Sequence, residues 1–114
     1  MKITCSLVSA AALGLALSAL SGCAAPDPDR VAKVLELTGS AANGGPVYVR
    51  ACQSCHDADG NGTSQPMSAL VPAETDEGLA DVVAGGNHVA ASAMTDQEAA
   101  DLMAYLRQTW PEPL

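Results

Sequence analysis

Residues 52–56 read Cys52-Gln53-Ser54-Cys55-His56. Two thiols three positions apart lie about one helical turn from each other, and an imidazole follows directly. This is the spacing of covalent haem attachment. The thiols reach the two vinyl groups of one porphyrin, and His56 falls beneath the iron as an axial ligand. The same Cys-x-x-Cys also suits a structural disulfide, a thioredoxin-like redox pair or half of a zinc site. The redox pair lacks a surrounding βαβ pattern, and a zinc site finds only His88 as an obvious further ligand. The haem reading is preferred, with Cys52, Cys55 and His56 as cofactor-binding residues and His56 on the metal.

Composition points the same way. The 114 residues are 48% hydrophobic, yet include no Phe, one Trp and two Tyr. Aromatic side chains normally supply much of a small core, so the apolar bulk must come from elsewhere. A buried porphyrin, large and flat, supplies it. Thirteen acidic residues stand against five basic ones, for a net charge of −8. Such a chain repels phosphates, which excludes nucleic acid as the default partner.

Upstream, Lys2 precedes an apolar, Ala- and Leu-rich run from Ile3 to Leu20, followed by Ser21-Gly22-Cys23. A basic start, an apolar stretch and small residues make a secretory signal peptide; a retained, uncleaved helix is the alternative. The ending resembles a bacterial lipobox, which implies cleavage before Cys23 and a lipid on its sulfur. Residues 1–22 are thus read as leader, carrying Cys5 away with them, and residues 23–37 as tether and lead-in. Loss of Lys2 takes the charge from −8 to −9 over the 92 residues that remain. Export agrees with haem attachment outside the cytoplasm. The expected location is the periplasmic side of a bacterial membrane, with a lipid anchor. Ala24 stands where an inner-membrane lipoprotein often has Asp, which favours the outer membrane.

Along the remainder, Arg30 to Leu37 reads as a short helix or an extended segment, without a decision between them. Gly39 to Gly45 reads as a small, polar loop, and Pro46 fits the first turn of a helix that carries Tyr48, Ala51, Cys52 and Cys55 at helical spacing. Asp57 to Gly62 is turn-rich. It starts like a calcium loop, but Ser68 occupies the twelfth position where a bidentate Glu belongs, so it reads as solvated loop. Gln65 to Pro72 looks irregular. Thr75 caps a helix with Leu79, Val82 and Val83 as its buried stripe, stopped by Gly85-Gly86. Thr95-Asp96-Gln97-Glu98 is a capping box. It opens a last helix with Ala99, Leu102, Met103 and Leu106 on one face, ended near Pro111. No strand pattern is convincing, so the fold class is all-α.

Over about residues 38–110 the chain resembles a class I cytochrome c. The haem motif carries the resemblance, supported by Gly44, Gly45 and Tyr48 ahead of it and by Ala104-Tyr105-Leu106-Arg107 in the last helix. The resemblance implies a small domain over 38–114, three or so helices around one covalently bound haem c, and a close crossing of first and last helices at a Gly. Pro46 departs from the family, whose first helix usually runs through that region. A second departure concerns the sixth ligand. The family usually places Met-Pro before the last helix, and residues 85–96 (GGNHVAASAMTD) contain none. His88 stands at or beside that position with loop enough to cross the haem. Met94, directly before the helix cap, is the alternative, and its bland role is core packing. Met67, an open site or a different residue remains.

The resemblance implies electron transfer by cycling of iron between ferric and ferrous states. No nucleophile–base pair with an orienting group is visible, so no enzymatic reaction is expected. The acidic charge points to redox partners with a basic docking patch. A haem subunit of a larger oxidoreductase complex is the alternative, or a ligand-binding sensor if the sixth position is labile.

Overall fold

The computed structural model describes residues 26–114, and only the backbone at 92 and 93. The segment read as a leader, residues 1–22, and Cys23 lie outside the described residues. Among these, six helices, α1 (Pro28–Glu36), α2 (Ala41–Ala51), α3 (Gln53–His56), α4 (Met67–Ala73), α5 (Asp76–Ala84) and α6 (Asp96–Thr109), are joined by loops and by one 3-10 turn, Val89–Ala93, with no strand. None of these helices is long and apolar enough to cross a membrane.

Local chemistry sets several boundaries. Asp27 caps α1 by accepting from the Arg30 amide, and Pro28 takes the first helical position, where its missing N–H costs nothing. Thr75 caps α5 through the Gly78 amide. Thr95 and Glu98 form the reciprocal capping box of α6, which satisfies two otherwise orphaned groups.

Three local expectations change. First, α2 starts at Ala41, capped by the Ser40 side chain, and Pro46 lies inside it. The stretch read as a glycine loop is helical because it is pressed onto α6. A Cβ on Gly39 would sit 2.1 Å from the Ala100 carbonyl oxygen, and one on Gly44 would sit 2.0 Å from that of Asp101. Tertiary contact overrides weak propensity here. Second, Gln65–Pro72 is not wholly irregular: α4 begins after Pro66 and contains Pro72. Arg107 on α6 holds its end by donating to the carbonyls of Val71 (2.6 Å) and Glu74 (2.7 Å). Third, Val82 is 37% exposed, whereas Leu79 and Val83 are buried.

The core runs between α2, α5 and α6. Val47 and Tyr48 of α2 meet Ala99, Leu102 and Leu106 of α6, with Leu79 and Val83 of α5 closing one side and Met67 and Val71 of α4 another. Val34, 1% exposed, fastens α1 to this core. Asp101 is the one buried charged residue among the described residues. It accepts from the Ser40 amide (2.8 Å) and the Gln97 side chain (3.0 Å), so its charge ties the start of α2 to α6. Tyr48, Tyr105 and Trp110 cluster beside the crossing, with ring centroids 5.5–6.4 Å apart.

The crossing gives a paired test. Gly44→Ala must push α2 off the α6 backbone and is expected to cost about 3 kcal/mol or prevent folding. At neighbouring Gly45 an added Cβ meets only the Tyr105 ring, at 3.5 Å, so Gly45→Ala is expected to be neutral or stabilising by up to about 1 kcal/mol. Denaturant melts of the two variants check the contrast.

Candidate functional site

The motif residues sit where two helices hand over. Cys52 is the C-cap of α2, its amide donating to the Tyr48 carbonyl, and α3 is the single turn Gln53–His56. The amides of Cys55 and His56 both donate to the Cys52 carbonyl (3.1 and 3.0 Å). Both thiols are free, Cys52 partly buried and Cys55 exposed. Immediately after, Asp57 takes φ +60°, an uncommon left-handed conformation for a non-glycine. Its carbonyl accepts from the Tyr48 hydroxyl at 2.7 Å. Tyr48 is 1% exposed. It thereby fixes the turn that sets where His56 emerges.

These residues open onto a predominantly apolar cleft of about 710 Å³, including its mouth to solvent. Cys52 and His56 form one wall, α4 contributes Met67, Leu70 and Val71, and α6 contributes Leu102 and Leu106. Leu79, Val82 and Val83 of α5 face it from the other side, with His88 and Ala90 from the loop beyond. Val82, the exposed member of the α5 stripe, is thus a wall of the cleft.

His56 and His88, 32 positions apart in sequence, come together across this space. Their ring centroids are 6.3 Å apart and their planes 25° from parallel. Two imidazoles on opposite sides of one metal, each about 2 Å from it, have centroids separated by roughly 6 Å. His56 Nδ1 is buried without a hydrogen-bond partner among the described residues. Burial and, secondarily, the nearby His88 lower the His56 pKa, favouring the neutral ring that a metal requires. His88 Nδ1 accepts from the Ala90 amide at 3.2 Å, which leaves Nε2 as the nitrogen for a metal. Ligation there puts the ring proton on Nδ1, so the Ala90 bond is given up. The residues present therefore fit a flat apolar group with a central metal: an apolar cleft, the Cys52 thiol at one wall with exposed Cys55 one turn on, and two facing imidazoles.

The other candidates are placed differently. Met94 is 8% exposed, packed in the core and outside the cleft lining. Met67 lines the cleft and packs against the core. Met103 is partly buried against the same core. No group of three or more His, Cys, Asp or Glu among the described residues is arranged to hold a metal ion, so the zinc alternative has no ligand set. In the acidic loop, Asp59 instead accepts from the Asn61 amide at 3.0 Å. Burial first, then Cys55, pushes the Cys52 thiol pKa up to about 11.

Sequence reasoning passed over Arg30. Its guanidinium bonds the Ala91 and Met94 carbonyls and the Asp96 carboxylate (2.8 Å). These partners lie more than sixty positions away, and a basic residue in the lead-in, with Asp27, Asp29 and Lys33 nearby, gave no local signal of them.

No curated protein and no solved structure matches the chain. A family model does, over residues 39–106, described as cytochrome C oxidase, cbb3-type, subunit III. The match takes in α2 through most of α6 and every wall of the cleft. With its all-helical fold, the chain belongs to this family and is a c-type cytochrome domain, whose chemistry is haem-based electron transfer.

Proposed function

We propose that the chain is an exported, membrane-tethered electron carrier with one covalent haem c. Cys52 and Cys55 form the thioether links, and His56 and His88 are the axial ligands. The observation that carries this reading is the pair of facing imidazoles, 6.3 Å apart, across a cleft walled by Cys52. When bound, the group supplies a reversible one-electron couple at its iron. The protein's part is to hold it. The Tyr48–Asp57 bond sets the turn after His56. The apolar walls would exclude water from the bound group, and the open mouth of the cleft is where a partner would dock. Two imidazoles set a lower reduction potential than an imidazole with a thioether.

Cys23 as a lipid anchor, four positions ahead of the α1 cap Asp27, would hold this domain close to a membrane on the periplasmic side. The net negative charge suits a partner with a basic patch. The family description also favours a second arrangement, residence as a haem subunit in a terminal oxidase or another large oxidoreductase complex. Co-purification with large membrane subunits separates this from a freely docking carrier.

The ligand assignment is tested on protein produced with haem attachment. His88→Ala is expected to convert a low-spin ferric spectrum to a high-spin one and to open the reduced iron to carbon monoxide. Met94→Leu is expected to keep the spectrum and lose less than about 1.5 kcal/mol of stability. The reverse pattern, with a thioether band abolished by Met94→Leu alone, sinks the assignment. In haem-free, reduced protein at pH 8, iodoacetamide is expected to label exposed Cys55 roughly tenfold or more faster than Cys52, read by peptide mass spectrometry. Electron exchange with a basic redox protein is expected to slow as salt rises, and a salt-independent rate in stopped flow removes the electrostatic docking.

A further inference from the structure

The loop that carries His88 is fastened from outside the family-matched span. Residues 85–96 connect α5 to α6, and the first turn of α1 holds both ends of this connection. The Asp27 amide donates to the Gly85 carbonyl at 2.9 Å. Arg30 then reaches the far half, bonding the Ala91 and Met94 carbonyls and the Asp96 carboxylate. The Arg30 side chain is only 20% exposed, so these charge-assisted bonds work in a shielded place, where they are roughly twice as strong as neutral ones.

A short chain of bonds links this guanidinium to the imidazole. The Ala91 amide donates to the His88 carbonyl at 3.1 Å, and its own carbonyl is an Arg30 acceptor. The 3-10 turn Val89–Ala93, capped by His88, is therefore pinned through residues that are not in the cleft lining. The turn contains Ala90 and Ala91 but no large buried side chain to anchor it, while Val89 is 84% exposed. Among its described side chains only alanine methyls are buried, so the polar fastening adds to a small apolar contact in holding the turn. When haem ligation releases the Ala90–His88 side-chain bond, the Arg30 contacts remain.

We infer that Arg30 is a positioning residue for the sixth ligand, which keeps His88 seated and the distal face of the iron closed to outside molecules. This rests on the reading of His88 as that ligand. Removing the guanidinium frees the turn, raises the rate at which His88 leaves, and admits a diatomic ligand to reduced iron.

The experiment uses the haem-loaded full chain with four substitutions: Arg30→Gln, Arg30→Lys, His88→Ala and Ser40→Ala. Ser40→Ala removes the side-chain cap of α2, which is none of the Arg30 contacts, and controls for simple loss of stability. Arg30→Gln is expected to bind carbon monoxide at least tenfold faster than the parent and to show added high-spin ferric haem. Arg30→Lys is expected to fall between them, because an ammonium lacks the planar fork that serves three acceptors. Ser40→Ala is expected to match the parent, and His88→Ala to mark the fully open limit. Amide exchange of residues 86–94 supplies a readout independent of ligand binding, and is expected to quicken in Arg30→Gln but not in Ser40→Ala. Fast binding by His88→Ala, with parental binding and exchange in Arg30→Gln, overturns the role of Arg30 and leaves the ligand assignment standing. Parental binding by His88→Ala overturns the assignment, and the inference with it.

Discussion

The fold turns on one close approach, that of α2 to α6 at Gly44. A side chain there would overlap the Asp101 carbonyl, so only a bare Cα lets the two backbones meet. The same contact positions the cleft. It brings Cys52, the C-cap of α2, to the space lined by Leu102 and Leu106 of α6. Asp101 ties the start of α2 by accepting from the Ser40 amide, so the contact is fixed by charge as well as by shape. A carboxylate buried to this degree is acceptable because both neighbouring donors are spent on it.

Around the crossing, the core is built mainly from alanine, valine and leucine. Small aliphatic residues make thin walls, and the cleft lies between them. The scarcity of aromatic residues is thus a property of the site as much as of the core. The aromatic residues present, Tyr48, Tyr105 and Trp110, gather at the crossing. There Tyr48 connects helix packing to the turn beyond His56.

What was legible in the sequence was what local chemistry decides. The haem motif spans five residues, and the Thr95–Glu98 capping box four. Each carries its own hydrogen-bonding or covalent logic, and the all-helical class followed from the absence of period-two patterning. The start of α2 was not legible, because Ala41–Gly45 is helical only when pressed on Ala100 and Asp101. Nor was α4, where two prolines flank or interrupt seven residues and Arg107, more than thirty positions away, holds the end. His88 was singled out by its distance from the last helix, but its approach to His56 depends on how α5 and the loop pack. That Met94 packs in the core, outside the cleft lining, likewise needed the fold, since its position in the chain says nothing about which way the cleft opens.

The cleft and its candidate ligands lie within residues 39–106, whereas the Arg30 guanidinium that grips the His88 loop belongs to α1, ahead of that span. Module and fastening thus occupy separate stretches of polypeptide. On the inferred role of Arg30, a substitution ahead of the family-matched span would change how firmly the His88 loop is held while every residue lining the cleft stayed the same.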